Sequence, residues 1–192
     1  MRLFLQTAIL AIQLGLLWFV VLFLRKALLM LRGQPIVSPF VPTSTRYARA
    51  IAAALRIKPG DTVYELGSGD GRILVALARI EPRARYVGIE RGRMLVFVSR
   101  LRALFLGRQG CISFVRGDLY DTTLSDADAL YTYLLPHAMR ALEPKLEREL
   151  KTGARLAARA FPLHGRSPVA TEELSDARLR HGLNTLYLYE WI

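Results

Sequence analysis

The chain has 192 residues, a single-domain length that still leaves enough for one buried core after an N-terminal segment of about 40 residues is set aside. Apolar residues make up 52%, and the net charge of +11 is lopsided: the first 60 residues carry eight basic and no acidic side chains, the other 132 carry 19 basic and 16 acidic. Basic charge collared beside an apolar segment points to a membrane surface rather than to nucleic acid, and a lone cysteine, Cys111, excludes an internal disulfide and any Cys-x-x-Cys metal centre.

Leu3 to Leu24 runs for 22 residues without a charge. As a helix it would reach roughly 33 Å, enough for a hydrocarbon core of about 30 Å. A cleaved leader would have a shorter apolar centre followed by small residues, whereas Arg25-Lys26 follows here. The expectation is therefore one transmembrane helix within residues 1–32, single-pass in an inner or cytoplasmic membrane. Arg25, Lys26 and Arg32 outnumber the single Arg2 before the span, which places the following domain in the cytoplasm. Residues 33–45 read as a proline-rich linker or lid, and residues 46–192 as the folded domain.

A helix over 46–57 ends at Lys58-Pro59-Gly60. From Asp61 the pattern alternates: strand 61–66, helix 72–80, strand 84–90, helix 94–106, strands 111–118 and 127–135, a helix over 137–151 interrupted at Pro144, and strand 154–163. Two final strands, 169–174 and 183–192, have no helical pattern between them. Alternation predicts a Rossmann-like α/β sheet, and the last two segments predict a terminal antiparallel strand pair.

The first strand runs into Glu65-Leu66-Gly67-Ser68-Gly69-Asp70-Gly71-Arg72 and a helix starts at once. Such a turn lets a ligand approach the backbone closely. Glu90 ends the second strand, 23 residues after Gly67, where an acid accepts hydrogen bonds from ribose hydroxyls; Asp118 ends the third, where an acceptor meets an adenine amino group. Features at the carboxyl ends of successive strands converge on one crevice. A dinucleotide would call for glycine where Arg72 stands. Glu65 and Asp70 instead put negative charge beside the turn, which suits the cationic methionine end of S-adenosylmethionine. Glu65, Gly67, Ser68, Gly69, Asp70, Gly71, Glu90 and Asp118 are the expected cofactor-binding residues.

PFVPT (39–43), ELGSGDGR (65–72), GIE (88–90) and LEPKLERELKTGAR followed by AFPL (142–163) resemble the small membrane-anchored protein-lysine methyltransferases of mitochondria, which modify the ATP synthase c-subunit and the adenine nucleotide translocase. The resemblance implies a class I methyltransferase fold, S-adenosylmethionine as donor and lysine as acceptor; the anchor makes a membrane protein near the bilayer the expected substrate, and no metal is expected. A lipid, quinone or other small-molecule acceptor at the bilayer, or a noncatalytic cofactor-binding scaffold, stays open beside it. Tyr131-Thr132-Tyr133-Leu134-Leu135-Pro136 lies where amide and adenine methyltransferases carry Asp/Asn-Pro-Pro-aromatic, and that tetrad is absent. Tyr131 and Tyr133 are expected to face an acceptor channel, a ring set against a cation. Residues 39–43, with Thr43 among them, are expected to close over the methionine end of the cofactor.

Overall fold

The structure, a computed structural model, describes residues 2–31, 40–174 and 183–192. The chain divides into two compact units, Met1–Ile36 and Val37–Ile192.

The first unit contains α1 (Arg2–Leu31), 30 residues of helix. Its described large apolar side chains, from Leu10 through Trp18 and Phe19 to Leu24, are all exposed. Among the described residues no helix is long and apolar enough to cross a membrane. The expected transmembrane segment is thus matched as a helix and not as a span.

In the second unit a 3-10 turn (Thr45–Tyr47) leads into α2 (Ala48–Ala54), and the elements then alternate: β1 (Thr62–Leu66), α3 (Arg72–Ile80), β2 (Arg85–Glu90), α4 (Arg93–Phe105), β3 (Ile112–Arg116), β4 (Ala129–Thr132), α5 (Pro136–Glu149) and β5 (Arg155–Arg159). The hairpin β6 (Ala170–Glu173) and β7 (Thr185–Glu190) closes the chain. The sheet order is β3-β2-β1-β4-β5-β7-β6, parallel from β3 to β5, with β7 antiparallel to both β5 and β6. This is the class I methyltransferase architecture, with the terminal pair where the sequence puts it.

Alternation along the strands sorts two cores. Val63, Tyr86, Phe114, Tyr131 and Ala157 face α2, α3 and α4; Tyr64, Leu66, Ile89, Leu130 and Leu156 face α5 through Ala138, Met139, Leu142 and Leu146. The inner parallel strands β1, β4 and β5 are thus covered on both faces, whereas the edge strand β3 is covered on one. Pro144 does not interrupt α5. It lies on the exposed side of the helix, where the carbonyl it leaves without a donor meets water, while Leu142, Lys145 and Leu146 hold the opposite side in the core. Strand four is shorter than expected because Tyr133, Leu134 and Leu135 leave the sheet; Leu134 is still buried, as loop rather than strand. Cys111 is half-buried.

Candidate active site

The glycine turn is stitched to the neighbouring strand: the N–H groups of Gly67 and Ser68 both donate to the Ile89 carbonyl at 2.9 Å. Glu90, at the end of β2, then accepts from Gly69 N–H at 3.0 Å and from Gly92 N–H at 2.7 Å. Gly69 has φ 54° and Gly71 φ 72°, the left-handed region. A Cβ on Gly71 would overlap the Phe114 ring and the Ser99 Cβ, so that glycine lets α4 and β3 close on the turn. A Cβ on Gly69 would lie 2.5 Å from the Phe40 ring, which therefore covers the turn from the 39–43 segment. Pro39 lies outside the described residues.

Glu65, in the centre of the sheet, is buried, and its Oε2 has no hydrogen-bond partner. Its pKa is pushed well above the ordinary carboxylate range by burial first, then by the charges of Asp70 and Glu90; a backbone hydrogen bond at Leu74 opposes the shift. The buried Ser68 hydroxyl is also unpartnered. A carboxylate and a hydroxyl left unpaired beside an open backbone turn are what a polar, cationic ligand would complete. The residues present thus fit S-adenosylmethionine: Glu65 and Ser68 for its amino-acid end, Gly67 and Gly69 for close approach, and Glu90 for the ribose. Asp118, just past β3, accepts from Tyr120 N–H at 3.0 Å and lies 3.8 Å from Arg91 Nε. Gly117 N–H donates to the Glu90 carbonyl, which ties the two strand ends together.

Asp70 departs from expectation. Its carboxylate pairs with Arg72 at 2.6 Å and Arg102 at 2.8 Å, and accepts the Arg72 backbone N–H at 3.3 Å. Burial alone would raise its pKa, but the Arg72 hydrogen bonds and the Arg102 charge outweigh it and hold the group below the usual range. Asp70 therefore closes the start of α3 and neutralises two arginines, and its charge is not free for the methionine end. The same arrangement fills the helix N-terminus that a pyrophosphate would need.

Past β4 and β5 the crevice has a different character. Arg159, 4% exposed at the end of β5, lies between two rings, 5.1 Å from Tyr47 and 4.6 Å from Tyr133. It donates to Thr43 Oγ1 at 3.0 Å and to the Leu183 carbonyl at 3.2 Å, and no described carboxylate pairs with it. The Tyr133 ring, expected to face an acceptor channel, is instead set against the protein's own Arg159. Tyr131 is fully buried, in register with Glu65, and its hydroxyl feels Thr43 and Arg159 without a well-formed hydrogen bond. Burial, the largest cause, raises its pKa far out of reach. Thr43 is held by Arg159, and Phe40 is the member of the 39–43 segment that meets the turn. Arg159 and Tyr47 were not legible as site residues, although a basic residue inside the apolar strand ARLAARAF was a signal.

Residues 65–170 match the model of the ANTKMT methyltransferase domain, which is more than half of the chain. The chain belongs to the ANTKMT methyltransferase family. This family member is similar to a protein-lysine N-methyltransferase of Saccharolobus islandicus, 31% identical over 79% of this chain and 92% of that one. It is also similar to the ATP synthase c-subunit lysine N-methyltransferase of Homo sapiens (36% identical, 79% and 61% covered) and to the adenine nucleotide translocase lysine N-methyltransferase of Mus musculus (37% identical, 69% and 57% covered). The chain thus spans less than two thirds of the human and mouse relatives. Among solved structures, an RNA methyltransferase from Salinibacter ruber in complex with S-adenosyl-L-homocysteine aligns with TM-score 0.71 at 31% identity, over 78% of this chain and 93% of that one. A methyltransferase from Thiobacillus denitrificans, also with S-adenosyl-L-homocysteine, aligns with TM-score 0.52 at 26% identity, over 65% and 50%. The ANTKMT-family chain is an S-adenosylmethionine-dependent methyltransferase.

Proposed function

We propose that this methyltransferase transfers a methyl group to the ε-amine of a lysine on a membrane protein, and that α1 holds it to the bilayer. The observation that carries the acceptor reading is the buried, carboxylate-free Arg159 held against the Tyr47 and Tyr133 rings and Thr43, with Tyr131 between this cluster and the unpaired Glu65. The names of the Saccharolobus, human and mouse relatives support the same acceptor. The cofactor, when bound, supplies the electrophilic methyl carbon. What the chain itself must do is hold the nucleophile in line and keep it uncharged. A fixed, buried guanidinium with no carboxylate partner disfavours a second cation beside it, so a lysine presented next to it gives up its proton more readily. Ring faces and apolar walls exclude water from the amine.

The anchor reading rests on the charge-free stretch from Leu3 to Leu24, the basic residues that follow it and the helical form of Arg2–Leu31. Positive charge after the stretch puts the catalytic domain on the cytoplasmic face. An anchor raises the effective concentration of a bilayer substrate without any new contact.

The test uses the detergent-solubilised chain, methyl-labelled S-adenosylmethionine and membranes from a strain lacking the gene, with Gly69→Arg as the dead control. Label recovered as methyl-lysine on a membrane protein supports the reading. Label confined to the lipid extract would replace the acceptor with a lipid or quinone, and label in RNA would align the chain with its Salinibacter neighbour. Extraction of the native protein from membranes by alkaline carbonate would remove the anchor.

A further inference from the structure

Helix α4 is packed inside out. It buries Val96, Ser99 and Ala103, small or medium side chains, against β3 and the glycine turn. Five of its large apolar residues point the other way, while Leu95 and Leu101 are half-buried: Met94 is 71% exposed and Phe105 80%, with Phe97, Val98 and Leu104 between them. At 3.6 residues per turn these five fall within roughly 120° of arc, a continuous outward stripe. Leu106, past the helix end, and Val115, on the sheet-edge strand β3, are exposed as well. A patch of this kind on a folded domain marks a surface that something covers.

The charge says what covers it. From Arg91 to Arg116 the chain has six arginines and no Asp or Glu. Arg93 and Arg100 border the stripe on one side and Arg102 on the other by the same helical angles. Arg100 and Arg102 also bond inward, to the Phe114 carbonyl and to Asp70, so their stems are fixed along the border. A second copy of the chain would bring its own Arg93, Arg100 and Arg116, which no described carboxylate pairs with, toward the same face and be repelled. An apolar stripe edged by arginine stems is the pattern of an element lying in the headgroup region of an anionic bilayer.

We infer that the exposed face of α4 is a bilayer-docking surface of the catalytic domain, selective for anionic lipid. The helix begins three residues after Glu90, at the rim of the proposed ribose site. Docking of this face therefore sets the mouth of the crevice at the membrane surface. The inference goes beyond the α1 anchor and fails independently of it, because carbonate extraction reports α1 and the lipid contact of α4 is read separately.

The experiment places a fluorophore on the full chain at Phe105→Cys in a Cys111→Ala background, with Thr152→Cys in the same background as the comparison site. Position 152 lies in the exposed turn before β5, at the same end of the parallel strands as Phe105 but with three strands between β5 and β3. The protein is reconstituted in nanodiscs of phosphatidylcholine alone or mixed with phosphatidylglycerol, with a lipid-borne quencher in the acyl chains. The expected result is quenching at position 105 roughly threefold above position 152, present only with phosphatidylglycerol and relieved by high salt. Arg93→Gln with Arg116→Gln should reduce it without altering cofactor binding. Equal quenching at the two positions overturns the inference. So does a probe already shielded in detergent, which would mean that α1 or a second copy covers the face. Quenching untouched by phosphatidylglycerol or by the arginine variants would also overturn it, since charge would then select nothing.

Discussion

The two halves of the crevice are built on opposite principles. Around β1 and β2 the polar groups are left wanting: Glu65 and Ser68 are buried with unpartnered oxygens, and three carboxylates, Glu65, Asp70 and Glu90, stand close enough to repel. Beyond β4 and β5 the cation Arg159 is already enclosed by two rings, a hydroxyl and a carbonyl. The first half is poised to gain from a positively charged ligand, while the second carries its own positive charge and resists another. One crevice thereby separates a cationic donor from an acceptor that reacts only when neutral. Variants on each side should accordingly fail differently.

The largest effect is expected at Gly69→Arg. The position has φ 54° and the Phe40 ring against it, so any side chain both strains the turn and fills the approach to it. Cofactor binding by calorimetry should vanish and turnover should fall by at least about a hundredfold, while the far-UV spectrum persists. Retained binding would mean that the cofactor does not use this turn.

Glu65→Gln comes next and separates binding from stability. Losing the charge removes an interaction worth about 1.5–3 kcal/mol to a cationic ligand, so affinity should weaken roughly 10- to 100-fold. The ligand-free protein should be as stable as the parent or more so, because its most costly buried acid is gone. The pH dependence follows from the raised pKa. Above the ordinary glutamate value the unfolded chain has released a proton that the native state still holds, so ligand-free stability falls as pH rises through that window. A cation bound at Glu65 favours the ionised form, so cofactor affinity rises over the same window. The variant should flatten both profiles; slopes unchanged from the parent would place the titrating group elsewhere.

The legibility of the molecule divides along similar lines. The succession of strands and helices along the chain, the terminal strand pair and the Glu65–Gly71 turn could be read because each is carried by local alternation or by residues adjacent in the chain. Asp70 could be named but its role could not, since Arg102 reaches it from 32 residues away. Arg159 was missed for the same reason: its partners Thr43 and Tyr47 lie more than a hundred residues upstream. Pro144 misled because intrinsic propensity breaks a helix there, whereas tertiary burial of Leu142, Lys145 and Leu146 holds it.

A smaller effect, on the acceptor side alone, is expected for Arg159→Lys. Lysine keeps the charge but loses the planar fit between Tyr47 and Tyr133 and the fork that reaches Thr43 and the Leu183 carbonyl. Turnover per acceptor should fall by about tenfold with cofactor affinity unchanged, and Arg159→Gln should shift the acid limb of the rate profile to higher pH as the lysine keeps its proton longer. A loss of cofactor affinity in either variant would merge the two halves into one site.

The smallest expected change is the most discriminating. Thr43 belongs to the segment that covers the cofactor turn through Phe40, yet its hydroxyl accepts from Arg159. Thr43→Ala removes one hydrogen bond to a buried charged donor, a loss of about 1–3 kcal/mol in stability. If the hydroxyl serves only to seat Arg159, cofactor affinity stays put, the acceptor KM rises a few-fold, and Thr43→Ser restores both rate and stability. If it instead reaches the cofactor, affinity for S-adenosylmethionine weakens in Thr43→Ala while the acceptor KM does not move. The first outcome makes the lid a support for the acceptor half, with Phe40 alone serving the donor half. The second would carry the lid across the boundary between them and end the separation that the two kinds of electrostatics imply.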